Sequence, residues 1–330
     1  MAASLLIDRY RQSATGTTPL RDTLYLAWFP KILAGPITRG GDFLFELKRN
    51  RKAHAALFAL GAQLILWGLV KKVVVADNLA PFVDRTYAIP AYAVPMELVI
   101  ATYFFAFQIY CDFSGYTDIA RGVSFLFGIR LAENFRRPYF ARSVGDFWSA
   151  RWHITLARWF RDYLYIPLGG GRKGAFRLYL NVMIVFVISG LWHAGLGYGV
   201  GWGFLVWGAL NGAYLWGERA LTPLGEVLRR RFTGRLPGVI GRVLATLIVF
   251  HLVLVSWVFF RAASISDGWT VITRVWAALP ELPALLVRYP FTVEHAFLAS
   301  LIAGLLVIEL FDEQRPVWRR LARLPRPVRW

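Results

Sequence analysis

The stretch SGLWHAGLGYGVGWGFLVWG, residues 189–208, sets one imidazole, His193, in a run without a charged residue. Leaving a polar group unpartnered in an apolar medium costs roughly 2–7 kcal/mol, so His193 requires a hydrogen-bond partner or a watered cavity. An ionisable side chain in a membrane segment marks a functional site by default, and an imidazole kept uncharged can take a proton from a reacting group. The glycines Gly190, Gly195, Gly197, Gly199 and Gly201 leave space around it, either for close helix packing or for a substrate tunnel. His153 is the second candidate. It lies among arginines in DFWSARWHITLARWF, where the plainer reading is local pairing or contact with lipid phosphate. His54, His251 and His295 read as structural.

Carboxylates pose the same problem in IYCDFSGYTDIARG, residues 109–122. Asp118 has Arg121 within helical reach, which points to an ion pair inside the bundle. Asp112 has the sharper alternative of orienting a histidine. Cys111, the only cysteine, reads as a small buried hydrophobe rather than an acyl carrier, and its solitude excludes an internal disulfide and any multi-cysteine zinc site. GGGRK, residues 169–173, lacks the spacing of a phosphate loop.

The elements that must position these groups are membrane helices. Of the 330 residues 57% are hydrophobic and only 18% charged, too much apolar surface for a soluble fold to hide. Windows 55–75, 97–110, 178–192, 199–216, 244–260 and 295–311 read as spans. The formal charge of +18 gathers in short stretches between them, at 48–52, 136–142, 172–177, 229–235 and 315–329. That is the pattern of cytoplasmic loops beside anionic lipid rather than of nucleic-acid binding. The same bias puts residues 172–177 and 218–235 on the cytoplasmic side, the turn carrying His193 toward the opposite side, and residues 262–289 outside. MAASLLIDRYRQ does not have the pattern of a signal peptide, so targeting is expected from internal spans.

Two regions resist a straight span. LAWFPKILAGPITRG, residues 26–40, carries two prolines and two glycines and predicts a re-entrant segment. In residues 144–174 a helical spacing puts Trp148, Trp152, Trp159 and Tyr163 on one stripe and Arg151, Arg158 and Asp162 on its neighbour. That is an amphipathic helix with its aromatics in the headgroup zone. The expected fold is an all-α polytopic transmembrane helix bundle with re-entrant and interfacial helices.

FPKILAGPITR (29–39), IYCDFSGYTDIARG (109–122), ENFRRPY (133–139), DFWSARWHITLARWFRDYLYIPLGGGR (146–172) and GLWHAG (190–195), taken in this order, resemble the membrane-bound O-acyltransferase family, in particular its bacterial alginate-acetylating branch. The resemblance covers residues 6–219. It implies a family-like core over 1–219, with 220–330 supplying further transmembrane helices of the same membrane domain. Members of the family carry further spans ahead of the position matching SLLIDRYR, so the chain reads as shortened at its N-terminus.

The resemblance also implies roles. His193 would be the catalytic residue and general base, with His153 a second functional residue. An acyl group, acetyl by preference with acetyl-CoA as donor and no metal, would pass to an extracytoplasmic polysaccharide or to a periplasmic acetyltransferase partner. Membrane lipid is the other expected partner, nucleic acid is not one, and the location is the bacterial inner membrane. The chemistry of acyl transfer, apart from the resemblance, makes His153 or Asp112 the candidate to orient the acceptor or assist the proton path, and Arg151, Arg158 and Lys173 the candidates to attract coenzyme A phosphates. The rivals are D-alanylation of teichoic acids within the family, a transporter, whose paired broken helices are not evident here, and a non-catalytic scaffold.

Overall fold

The computed structural model describes residues 1–11, 18–48, 55–195, 201–232 and 238–314. His54, Gly197, Gly199 and the basic cluster at 315–329 lie outside them, as do parts of the clusters at 48–52 and 229–235. The described residues form helices and connecting turns, without strands. In order these are α1 (Ala2–Tyr10), α2 (Pro19–Leu26), α3 (Gly40–Lys48), α4 (Ala55–Leu69), α5 (Asp77–Ala88), α6 (Pro95–Leu126), α7 (Val144–Asp146), α8 (Ile154–Phe160), α9 (Gly174–Ala194), α10 (Trp202–Phe232), α11 (Gly238–Arg261), α12 (Ile265–Ala278), α13 (Leu282–Arg288) and α14 (Val293–Gln314). Six stretches among the described residues are long and apolar enough to cross a membrane: Ala56–Ala88, Pro95–Leu126, Gly174–Ala194, Gly238–Arg261, Ile265–Arg288 and Val293–Glu313. The protein is an all-α polytopic membrane protein.

The span expected at 97–110 is a helix of 32 residues. The hydropathy window stops where Asp112 and Asp118 begin, but the helix continues because those charges are paired. Between α4 and α5 the chain widens into a π-helical turn, Val70–Ala76. That turn aims Lys71 at Asp118, 2.5 Å away, and Lys72 at Asp112, 2.6 Å away. Arg121 adds the expected contact to Asp118 at 3.2 Å. A π-turn inserted in a helix shifts the facing of the residues within it, and here it lets two consecutive lysines reach two separate carboxylates on one partner helix.

α4 and α6 approach through glycine. Gly61 faces Gly122 and Gly68 faces Gly115, and a methyl added at Gly68 would stand 2.6 Å from the Gly115 carbonyl oxygen. Small residues let backbones close in where lipid offers no hydrophobic drive for association.

The window at 199–216 becomes the longer helix α10, which is not among the six spans. Residues 265–288, expected outside, have the composition of a span. Their two ends nevertheless meet the same face of the bundle. Arg261, just ahead of α12, pairs with Asp84 at 2.5 Å; Arg274 donates to the carbonyls of Ala91 and Ala93; and Tyr289, just after α13, reaches Glu97. Pro280 and Pro283 interrupt the helix between them. The segment therefore leaves and returns on one side.

The proline-rich segment is irregular, as its composition requires. A 3-10 turn, Phe29–Lys31, is followed by non-helical chain to α3. Lys31 is buried, donating to Thr38 Oγ1 at 2.9 Å, with its ammonium 4.0 Å from the rings of Tyr25 and of Phe43. Burial pushes its pKa down to about 7.

The α4–α6 contact is expected to fail on small additions. Gly68→Ala or Gly115→Ala should destabilise the detergent-solubilised protein by about 1–3 kcal/mol through overpacking, more than the ~1 kcal/mol that alanine contributes in helix propensity. Thermal unfolding of either variant at or above the wild-type midpoint would contradict the close approach.

Candidate functional site

The segment expected as one amphipathic helix is broken at its histidine. α7 runs into a π-helical turn, Phe147–Arg151, and the helix then stops; it resumes as α8 and ends in a second π-helical turn, Arg161–Tyr165. At the break His153 has φ 43°, a left-handed backbone that costs of order 1–3 kcal/mol and that histidine adopts more readily than most side chains. Asn134 holds it. The Asn134 carbonyl accepts from the Ile154 N–H at 2.9 Å, and its Oδ1 accepts from the Thr155 N–H at 3.2 Å and hydroxyl at 2.8 Å.

The break also corrects the stripe. Trp148 and Trp152 do not stand in a headgroup layer, because the irregular backbone turns them into the protein. Trp148 packs 5.5 Å from Trp207, and buried Trp152 packs 4.9 Å from Trp257 and 5.6 Å from Phe147. Trp159 and Tyr163 do share a side, where they bond to Ser4 and Asp8 of α1.

His193 sits in the last turn of α9. Trp192, Trp207 and Phe260 surround it at ring distances of 4.8, 5.2 and 5.3 Å. Close helix packing accounts for Gly190 and Gly201: a Cβ at the first would overlap the Phe204 carbonyl of α10, and at the second the side chain of Ala194. Among the described residues the imidazole has no hydrogen-bond partner, so it takes the other course open to a polar group in apolar surroundings and lines a cavity.

That cavity, about 420 Å³, brings His153 and His193 together. Its wall along α9 runs from Val182 to His193, about 16 Å of helix rise. Trp148, Trp152, Phe186 and Trp207 make most of it apolar, and Arg158, Arg161 and Tyr165 supply polar groups. The His153 ring lies 4.7 Å from Phe113 and stacks at 6.2 Å on Phe135. Burial first, and the neighbouring His193 second, push its pKa down to about 3.

A second recess, about 720 Å³, is lined by Arg39, Arg130, Arg158 and Arg161 with Asp42 and Glu46. Arg158 and Arg161 belong to both walls. Arg161 and Arg39 share Asp162, whereas Arg158 has no carboxylate partner among the described residues.

Three of the expected binding residues are not brought to this place. Asp112 is held by Lys72, lines neither cavity and orients neither histidine. Arg151 is engaged by Asp146 at 2.7 Å and Glu313 at 3.0 Å. Lys173 is exposed ahead of α9 and lines neither cavity. Arg161, Ser189 and Trp207 line the cavity without having been singled out; only their nearness in sequence to the two histidines could have flagged them.

The sequence profile of the membrane-bound O-acyltransferase family matches residues 15–264. The chain belongs to that family. Among similar members, a probable alginate O-acetylase of Azotobacter vinelandii is 37% identical over 278 residues, 84% of this chain and 51% of that protein. A peptidoglycan O-acetyltransferase of Helicobacter pylori is 39% identical over 251 residues, 76% of this chain and 45% of that protein. A teichoic acid D-alanyltransferase of Bacillus subtilis is 28% identical over 185 residues, 53% of this chain and 47% of that protein. The chain thus spans about half the length of the curated relatives it matches.

The buried imidazole of this family member has a measurable consequence. Because its pKa is lowered in the folded protein, the unfolded chain binds a proton that the folded chain does not between about pH 6.5 and about pH 3. The stabilisation is complete above about pH 6.5 and declines as pH falls through that window. Thermal unfolding of the wild type should therefore lose stability between about pH 7 and about pH 4 more steeply than that of His153→Gln. Parallel curves would show that His153 is not buried uncharged.

Proposed function

We propose that the protein is an O-acyltransferase that moves an acetyl group from a thioester donor to a hydroxyl, with His193 as the general base. The observation that carries this reading is the shared cavity: His153 and His193 line it together with Arg158, Arg161 and a largely apolar, aromatic wall. The donor is acetyl-CoA entering from the cytoplasmic face. Its phosphates lie at Arg158 and Arg161, beside the basic recess, and its acetylated arm runs along α9. The other two basic candidates, Arg151 and Lys173, have no part in this contact, since neither lines the passage.

His193 takes the acceptor hydroxyl proton as the oxygen attacks the acetyl carbonyl. The new C–O bond forms, the C–S bond breaks, and the leaving thiolate recovers the proton from the imidazolium. An imidazole suits both steps because one uncharged ring nitrogen can accept the proton and return it. His153, neutral and fixed by Asn134 and Phe135, orients the acceptor through its ring. Aromatic walls exclude bulk water, which competes as acceptor.

The acceptor is a polysaccharide on the far side of the inner membrane, reached directly or through a periplasmic acetyltransferase. The alginate and peptidoglycan O-acetylating relatives are the more similar to this chain, and the D-alanylating one is less so, which favours acetyl over D-alanyl as the group transferred.

The test uses the full chain in proteoliposomes with radiolabelled acetyl-CoA and alginate. Wild type should label the polysaccharide, and His193→Ala should lower the rate by roughly 10²–10⁴-fold. Arg158→Gln should raise the KM for acetyl-CoA with little change in kcat. A His193→Ala protein that inserts normally and keeps the wild-type rate ends the proposal.

A further inference from the structure

Helix α14, the last among the described residues, carries three carboxylates into the back of the histidine loop, and the proposed chemistry uses none of them. Glu309 is buried and accepts from the Tyr110 hydroxyl of α6. One turn on, Asp312 pairs with Arg137, and Glu313 pairs with Arg137 at 2.6 Å and with Arg151 at 3.0 Å. The three carboxylates lie beyond residue 264, where the family match ends, whereas their partners lie within it.

The two arginines are not peripheral. Arg137 follows Phe135, the ring that stacks on His153, by two residues, and Arg151 precedes His153 by two. The two chain segments are stapled to each other at this point. The Arg136 N–H donates to the Arg151 carbonyl at 2.9 Å, and the Arg151 guanidinium donates to the Arg137 carbonyl at 3.2 Å. The Ile154 N–H donates to the Asn134 carbonyl at 2.9 Å. Both segments are strained, with Arg137 at φ 41° and His153 at φ 43°. A left-handed backbone at two non-glycine residues persists only where the surroundings over-determine it.

We infer that Asp312 and Glu313 are positioning residues, which act through Arg137 and Arg151 to hold the crossed segments that present His153 to the cavity. The guanidinium of Arg151 contacts Asp146, Glu313 and the Arg137 carbonyl together. Removing the Glu313 charge leaves that half-buried cation with one carboxylate fewer and frees the crossing to relax. Both pairs are only partly exposed, where ion pairs are screened less than at an open surface. A helix from the end of the described chain thereby sets the geometry of a site built from its middle.

This inference rests on the proposed role of His153, and two readouts separate the one from the other. The full-length variants are Glu313→Gln, the pair Asp312→Asn with Glu313→Gln, and Glu313→Asp as the conservative control. Acetyl transfer from acetyl-CoA to alginate gives kcat and KM. Modification of His153 by diethyl pyrocarbonate, mapped by peptide mass, reports ring placement whether or not the protein transfers acetyl groups, with His251 on α11 as internal reference.

Loss of the carboxylates should lower kcat roughly ten- to hundredfold, since misplacement of a reacting group by about 1 Å costs up to that much. The KM for acetyl-CoA should stay within about twofold, and the His153 modification rate should rise about threefold or more as the crossing opens locally. Glu313→Asp should recover most of both. If the pair does not fold, the single variant carries the same comparison. Unchanged His153 reactivity and kcat in folded variants overturn the inference. So does a fall in kcat that tracks only the unfolded fraction. If the wild type itself transfers no acetyl group, the functional reading fails, and the modification rates alone decide the positioning role.

Discussion

The left-handed backbone at His153 is the constraint on which the site depends. One straight helix over residues 144–165 would keep Trp148, Trp152, Trp159 and Tyr163 together on a single lipid-facing stripe. The break at His153 instead turns Trp148 and Trp152 inward against Trp207 and Trp257 and opens the imidazole onto the cavity that His193 lines. Asn134 makes the break tenable by accepting three hydrogen bonds from Ile154 and Thr155. Without those acceptors the polar groups at the break would be buried unpaired, at a cost comparable to the strain itself.

The same rule governs the rest of the bundle. A charge in an apolar surrounding is tolerated where a partner meets it, and each long-range pair also fixes two elements relative to each other. Lys71 and Lys72 tie the π-helical turn to α6 through Asp118 and Asp112. Glu218 of α10 accepts from the backbone N–H groups of Val144 and Gly145, so the start of α7 is anchored to the helix that also carries Trp207. Arg261 and Asp84 join α11 to α5. His193 has no hydrogen-bond partner among the described residues and faces the cavity instead, a condition under which an imidazole stays free to exchange a proton.

Much of this was legible in the sequence. The long apolar windows marked the spans, because crossing a bilayer needs about 20 apolar residues in one run. The isolation of His193 marked it as a group needing a cavity or a partner. Asp118 and Arg121 were readable as a pair because helical spacing is local. Asp112 was not: its partner Lys72 comes from another helix, on a turn whose π-helical widening no periodicity announces. The stripe of Trp148, Trp152, Trp159 and Tyr163 misled for a related reason, since a regular period assumes a regular helix and His153 ends it. Arg151 looked like a phosphate ligand because one carboxylate that engages it, Glu313, lies 162 residues further along the sequence, on α14.

The amino-acid sequence by itself determined the class of fold, the approximate spans, the family and the two candidate histidines, because hydrophobic length, local charge spacing and ordered motifs are properties of neighbouring residues. Only the tertiary structure decided that His153 and His193 share one cavity, that Arg158 and Arg161 line both it and a second recess, and that Asp112, Arg151 and Lys173 stand elsewhere. Those outcomes depend on which distant groups meet. In an apolar bundle that is settled by the pairing of buried charges and backbone groups across helices rather than by any local pattern.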